Sequence, residues 1–140
     1  MRVHHLDCAT MCPIAGALVN GQHKLVCHCL LIETSEGLVL VDAGLGMADV
    51  RAPQQRLGRS FLWITRPDLD EKATALRQVE ALGYKATDVR HIIPTHLDLD
   101  HAGGLSDFPW AKVHVFEAEY EAAMARRSLK EKNRYRPLQW

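Results

Sequence analysis

One segment limits what this chain can fold into more than any other: Thr95-His96-Leu97-Asp98-Leu99-Asp100-His101-Ala102-Gly103-Gly104. His96, Asp98, Asp100 and His101 put four metal-binding side chains within six positions. The run before them, His91-Ile92-Ile93-Pro94, has a β-branched apolar centre, as expected of a buried strand reaching its end. The spacing H-x-D-x-D-H at a strand end can aim imidazoles and carboxylates into one small volume. So much charge is costly to bury unless a cation neutralises it. Gly103 and Gly104 read as letting the chain turn tightly on leaving the site. The competing reading is an exposed acidic turn with two incidental histidines, although polar turns are seldom so dense in ligand types.

A second segment, Gly37-Leu38-Val39-Leu40-Val41-Asp42-Ala43-Gly44, is a short apolar strand closed by an aspartate and a glycine. An apolar strand from Leu25 to Glu33 precedes it, and Thr34-Ser35-Glu36-Gly37 is expected to join the two as a hairpin. Taken alone, Asp42 reads as a turn aspartate bonding its own backbone before Gly44. The remaining pattern is mixed α and β. Val3 to Leu6 is a short edge strand, Val89 to Ile93 carries the dense segment, and Lys112 to Phe116 is a further strand. A helix is predicted to start near Asp68 or Asp70, with Asp68 and Glu71 as a capping box. Leu76, Val79 and Leu82 form its apolar stripe and Gly83 its end. Another helix is predicted from Glu117 to Arg127. Residues 44–65 show no period, and Ala52 to Arg59 reads as a loop.

Composition sets outer bounds. A chain of 140 residues suits a single domain, residues 1–140, with one core. Lys+Arg and Asp+Glu both number 17, so no net field draws nucleic acid or an anionic membrane surface. No apolar run approaches a membrane span and the start is not that of a secretory signal, so a cytoplasmic enzyme with a small-molecule substrate is expected. Cys8 and Cys12 are placed in an N-terminal loop, and Cys27 and Cys29 on one face of a strand. Buried thiols are the expectation for Cys27 and Cys29, with a structural zinc or disulfides as alternatives. His4, His5, His23, His28, His91 and His114 join no convincing ligand motif. The basic stretch from Arg126 to Arg136 reads as a solvated face.

The segments at 95–101 and 37–44 resemble the metallo-β-lactamase superfamily, whose signature is T-H-x-H-x-D-H at a strand end. The resemblance implies the first half of an αββα sandwich, a mixed sheet with flanking helices. It assigns His96 to one metal site and Asp100 with His101 to a second, and puts Asp42 beneath them as a supporting carboxylate. Asp98 stands where the family usually has a second histidine. Flavodiiron members have a carboxylate there and bind iron, and oxygen donors shift preference toward Mn²⁺ or Fe²⁺. Zinc is the ion the resemblance implies, two per complete site, with Mn or Fe as alternatives. The general run of the chain is similar to members related to acyl-homoserine lactonases. The implied chemistry is hydrolysis of an ester, lactone or thioester by a metal-bound hydroxide, with Asp100 as the catalytic residue that orients the water and passes a proton to the leaving oxygen. An iron-binding oxidoreductase and a non-catalytic remnant are the alternatives. The family's later histidines and bridging aspartate have no match after His101, where the only histidine is His114. The chain is therefore expected to be an N-terminal half, inactive alone, truncated or completed by another chain. An apolar exposed sheet face would then favour self-association.

Overall fold

The computed structural model describes residues 1–14, 16, 21 and 23–140. Its centre is a mixed five-stranded sheet in the order β1-β2-β3-β4-β5: β1 Val3–Met11, β2 Leu25–Thr34, β3 Gly37–Val41, β4 Val89–Ile93 and β5 Lys112–Val113. The first three strands are antiparallel neighbours, and β4 and β5 add in parallel after crossovers. The hairpin falls where the sequence puts it. Thr34 pairs with Gly37, and the Thr34 hydroxyl donates to the Gly37 carbonyl at 2.7 Å.

Strand β1 runs well past Leu6, so Cys8 lies in a strand and not in a loop. Its register shifts between Asp7 and Thr10, and both Cys8 and Ala9 are buried there. A bulge of this kind hides a strand from a search for strict alternation. Cys27 and Cys29 are buried as expected, and all four cysteines are free thiols. Burial pushes the Cys27 thiol far up; a hydrogen bond with Cys8, then burial, does the same for Cys29. Such thiols are poor nucleophiles and poor metal ligands.

Side-chain alternation gives the sheet two unlike faces. Leu6, Cys29, Leu31, Leu38, Leu40 and Ile92 point into the main core, against Ala75, Val79, Leu105, Phe108, Ala123 and Tyr135 from the covering layer. The opposite face carries Val26, Leu30, Ile32, Val39, Val41 and Ile93, half-buried or exposed. A cross-strand imidazole pair stands toward each edge. His5 and His28 share a hydrogen bond at 2.9 Å, and His91 and His114 one at 2.8 Å.

The covering layer differs from the sequence reading in several places. Residues 44–65 are helical for most of their length, as α1 (Met47–Arg51), α2 (Pro53–Arg56) and α3 (Arg59–Thr65). These turns are too short for a period to register. The helix expected from Asp68 or Asp70 is two pieces. Asp70 caps a 3₁₀ turn, Glu71–Ala73, and buried Thr74 caps α4 (Ala75–Ala81). Gly83, at φ +91°, stops the chain as predicted, but Leu82 is exposed. Strand β5 ends at Val113, short of the expected Phe116, because Phe116 is already the N-cap of α6 (Glu117–Ala125); between them the His114 amide donates to the Ile92 carbonyl at 2.8 Å. The basic stretch is not a solvated face throughout. It holds α7 (Leu129–Arg134), opened by a reciprocal Ser128–Glu131 capping box, and leads into buried Tyr135.

Candidate metal centre

The dense segment leaves β4 and alternates along its length. Leu97 is buried in the main core, and Leu99 in a second cluster with Ala9, Met11, Cys27, Leu45 and Leu57. His96, Asp98 and Asp100 lie between and beside these anchors and are only partly buried. The leucines act as pegs that hold the polar side chains outward, a period of two readable in H-L-D-L-D. A short helix, α5 (Leu99–Ala102), then turns His101 back over Thr95.

The two glycines that follow serve packing and not a turn. Gly103 sits at φ −55°, an ordinary helical value, and opens a 3₁₀ segment, Gly103–Asp107. A Cβ at Gly103 would lie 2.2 Å from Asp49 Oδ2, and one at Gly104 would lie 2.4 Å from the Ala43 carbonyl oxygen. The segment thus presses against the Asp49 carboxylate and against the chain just past β3, at Ala43, Gly44 and Leu45.

That contact puts Asp42 behind the imidazoles. Asp42 adopts a left-handed backbone, φ +56°, and is 5% exposed. A non-glycine residue held there is strained, and such strain collects at functional sites. Asp42 Oδ1 accepts from the Thr95 amide at 2.7 Å, and the Thr95 hydroxyl lies 2.9 Å from Oδ2. Oδ2 also lies 3.0 Å from His101 Nδ1. Asp42 is therefore bonded across 53 and 59 positions of sequence and is not a turn aspartate bonding its own backbone.

The four candidate ligands assemble as two pairs. His96 Nε2 lies 3.6 Å from Asp98 Oδ2, and His101 Nε2 lies 3.6 Å from Asp100 Oδ2. The two rings are 3.9 Å apart, centroid to centroid. Each ring has its Nδ1 engaged, on the Thr95 hydroxyl at 3.0 Å for His96 and on Asp42 for His101. Among the described residues, no three His, Cys, Asp or Glu side chains converge on a single point. His114 is taken up by His91 across β4 and β5 and joins neither pair.

Three carboxylates, Asp42, Asp98 and Asp100, face two imidazoles and one fixed cation, Arg134. Burial works against a charged His101. The Asp42 hydrogen bond and the charges of Asp100, Asp42 and Asp98 outweigh it and raise its pKa. Burial also opposes ionisation of Asp42, yet the His101 and Thr95 hydrogen bonds hold its carboxyl below the usual range. Positive charge is favoured at this point. Two contacts carried no signal in the sequence: Arg134 Nε donates to Asp98 Oδ1 at 2.7 Å, and Glu119 Oε1 accepts from the Leu97 amide at 2.9 Å. Beside the pairs opens a groove of about 270 Å³ lined by Phe61, Asp98, Asp100, Lys130, Asn133 and Arg134. A more apolar hollow of about 400 Å³, around Phe108, Tyr120 and Met124, contains none of the four candidate ligands.

The strand-end segment, the aspartate behind it and the sheet order are those of one class of proteins. The chain belongs to the metallo-β-lactamase superfamily, whose family model matches residues 24–137. Its sheet and helices are the α+β arrangement of that fold, in part. Within the class, the whole chain is 48% identical to a protein named probable metallo-hydrolase from Mycobacterium tuberculosis, over 42% of that protein's length. It is 36% identical over 111 residues to an N-acyl homoserine lactonase of Bacillus cereus, covering 79% of this chain and 43% of the relative. A crystal structure of the lactonase AiiA of Bacillus thuringiensis, a variant with N-decanoyl-L-homoserine bound at its active site, superposes with TM-score 0.68 at 29% identity. It covers 96% of this chain and 58% of the other. The chain thus spans less than half the length of the curated relatives it matches. The family and its lactonase members imply divalent-metal binding.

Proposed function

We propose that this chain carries part of the metal centre of a hydrolase that opens an ester, lactone or thioester bond. One observation carries the reading: each imidazole has Nδ1 held from behind and Nε2 facing a carboxylate oxygen at 3.6 Å. Two donors on one tetrahedral ion, with bonds near 2.1 Å, sit about 3.4 Å apart. The residues therefore fit, as one pair for each of two ions: His96 with Asp98, and Asp100 with His101. The chemistry of the set agrees, since three carboxylates attract a cation. When bound, divalent ions supply Lewis acidity toward the carbonyl and lower the pKa of water. Asp42 fixes the tautomer and orientation of His101, and Thr95 links Asp42 to His96. Asp100, a quarter exposed beside the groove, would carry a proton to the leaving oxygen. Phe61 gives the groove an apolar wall for the acyl part of a small substrate. The lactonase relatives support a lactone as one candidate bond.

Zinc is the first candidate ion. Asp98 makes the first pair one nitrogen and one oxygen, which favours Mn²⁺ or Fe²⁺ more than two imidazoles would. An iron site with oxygen chemistry is the second reading, and metal analysis separates the two. With two donors for each ion, the purified 140-residue chain should bind Zn²⁺ or Mn²⁺ weakly and open an acyl-homoserine lactone slowly or not at all. His96→Ala and His101→Ala should each abolish one binding step by calorimetry. Titrations of both variants that match wild type would sink the assignment of these ligands.

A further inference from the structure

The two halves of the ligand segment are held from opposite sides of the molecule. His101 is tied by Asp42 to the end of β3, and Thr95 joins His96 to the same carboxylate. Asp98 and the Leu97 amide are tied to the C-terminal helices. Arg134 of α7 donates from Nε to Asp98 Oδ1 at 2.7 Å, and Glu119 of α6 accepts from the Leu97 amide at 2.9 Å. Arg134 also lies 3.9 Å from Glu119, so one partly buried network spans Leu97, Asp98, α6 and α7. With Oδ1 occupied, Asp98 has Oδ2 left, and that oxygen faces His96 Nε2.

We propose that Arg134 is the positioning residue for Asp98, fixing its carboxylate so that one oxygen is presented beside His96 to a divalent cation. The inference rests on the metal reading above. A carboxylate ligand gains its orientation from hydrogen bonds to the oxygen that does not ligate, and loss of such a partner lowers metal affinity by about 10 to 100-fold. A guanidinium does this better than an ammonium, because its donors are fixed in a plane. The same substitution leaves the Asp42 side of the segment untouched, so the two imidazoles should respond differently.

The test is a titration of the ¹⁵N-labelled chain with Zn²⁺ alone, following the His96 and His101 ring signals separately. In wild type both rings should respond. In Arg134→Gln the His96 midpoint should move to at least about 10-fold more Zn²⁺, with the His101 midpoint within twofold of wild type. Arg134→Lys, which keeps the charge and loses the planar donor, should fall between them and carries the test if Arg134→Gln does not fold. An unchanged His96 midpoint in the Arg134 variants overturns the inference and leaves the metal reading standing. Equal loss at both rings, with a lower melting temperature, assigns Arg134 a merely structural role and overturns it too. Silence of both rings in wild type sinks the metal reading, and this inference with it.

Discussion

Gly104→Ala tests whether the ligand segment is set by backbone-to-backbone packing. The added Cβ would lie 2.4 Å from the Ala43 carbonyl oxygen, 3.1 Å from Ala43 Cβ and 3.2 Å from the Ala43 carbonyl carbon. None of these atoms is the free end of a flexible side chain, so two backbone segments must part. Overpacking of a close-packed interior costs about 1 to 3 kcal/mol. Parting also stretches the bond from the Gly104 amide to the Gly44 carbonyl, 3.1 Å long, which is worth about 1 kcal/mol. Alanine regains about 1 kcal/mol over glycine in helical backbone. The net loss is about 1 to 3 kcal/mol, or roughly 3–12 °C in melting temperature for a domain of this size. Gly83→Ala is the control. Nothing lies within 4 Å of its Cβ, but φ is +91°, so its cost is backbone strain alone, about 1 kcal/mol. Calorimetric melting of both variants decides. Displacing Ala43 also stretches the bond from its amide to the His101 carbonyl, 2.9 Å long, so the His101 ring signals should shift in Gly104→Ala and stay put in Gly83→Ala. A Gly104→Ala protein as stable as wild type, or one whose His101 ring signals stay put, refutes the packing argument.

Three further outcomes are expected. Asp49 is fully buried and accepts from Arg56 Nε at 2.9 Å, Gln139 at 3.1 Å and the Gly46 amide at 2.9 Å. Asp49→Ala strands the Arg56 charge and should cost about 3 to 5 kcal/mol in urea unfolding; a loss under 1 kcal/mol would contradict it. Burial, with the Asp49 charge adding to it, raises the Asp107 carboxyl to about 6, although the Met47 amide, Arg56 and Arg51 pull the other way. A carboxyl raised on folding stabilises the folded state at low pH, and that contribution is lost as pH climbs from about 4 to about 6. The shift sets a ceiling near 3 kcal/mol, and screening at a partly exposed group reduces it to about 1 to 2 kcal/mol. Asp107→Asn should therefore gain on wild type between pH 4 and 7 in parallel unfolding curves, and a pH-independent gap would refute this. For the ligand set, Asp98→Ala should weaken Zn²⁺ and Mn²⁺ binding about as much as His96→Ala, and Asp98→His should shift preference toward zinc; equal Zn²⁺ to Mn²⁺ ratios in wild type and Asp98→His would remove Asp98 from the set.

Local chemistry determined the parts of this protein that local sequence can encode. The Leu25–Val41 hairpin follows from alternation around a short polar turn, β4 from its β-branched run, and the stop at Gly83 from a residue that accepts positive φ. The ligand segment was legible because its donors and its leucine pegs repeat every second position. Tertiary structure decided what depends on partners far along the chain. The basic stretch from Arg126 to Arg136 looked solvated because charge alone does not say which residue finds an acid; folding gives Arg134 to Asp98, 36 positions away, and beyond the stretch it gives the neutral Gln139 to Asp49, 90 positions away. The helices between Met47 and Thr65 are too short to show a period, and they are tied in by Asp49, Arg56, Leu45 and Leu57, whose partners lie on other elements. Gly103 and Gly104 were correctly singled out but for the wrong reason, since their need for a bare backbone comes from the close approach of the Asp49 carboxylate and of the chain just past β3. Asp42 shows the division most clearly: sequence marks an aspartate at a strand end, and only the sheet, by pairing β3 with β4, brings Thr95 and His101 to its carboxylate.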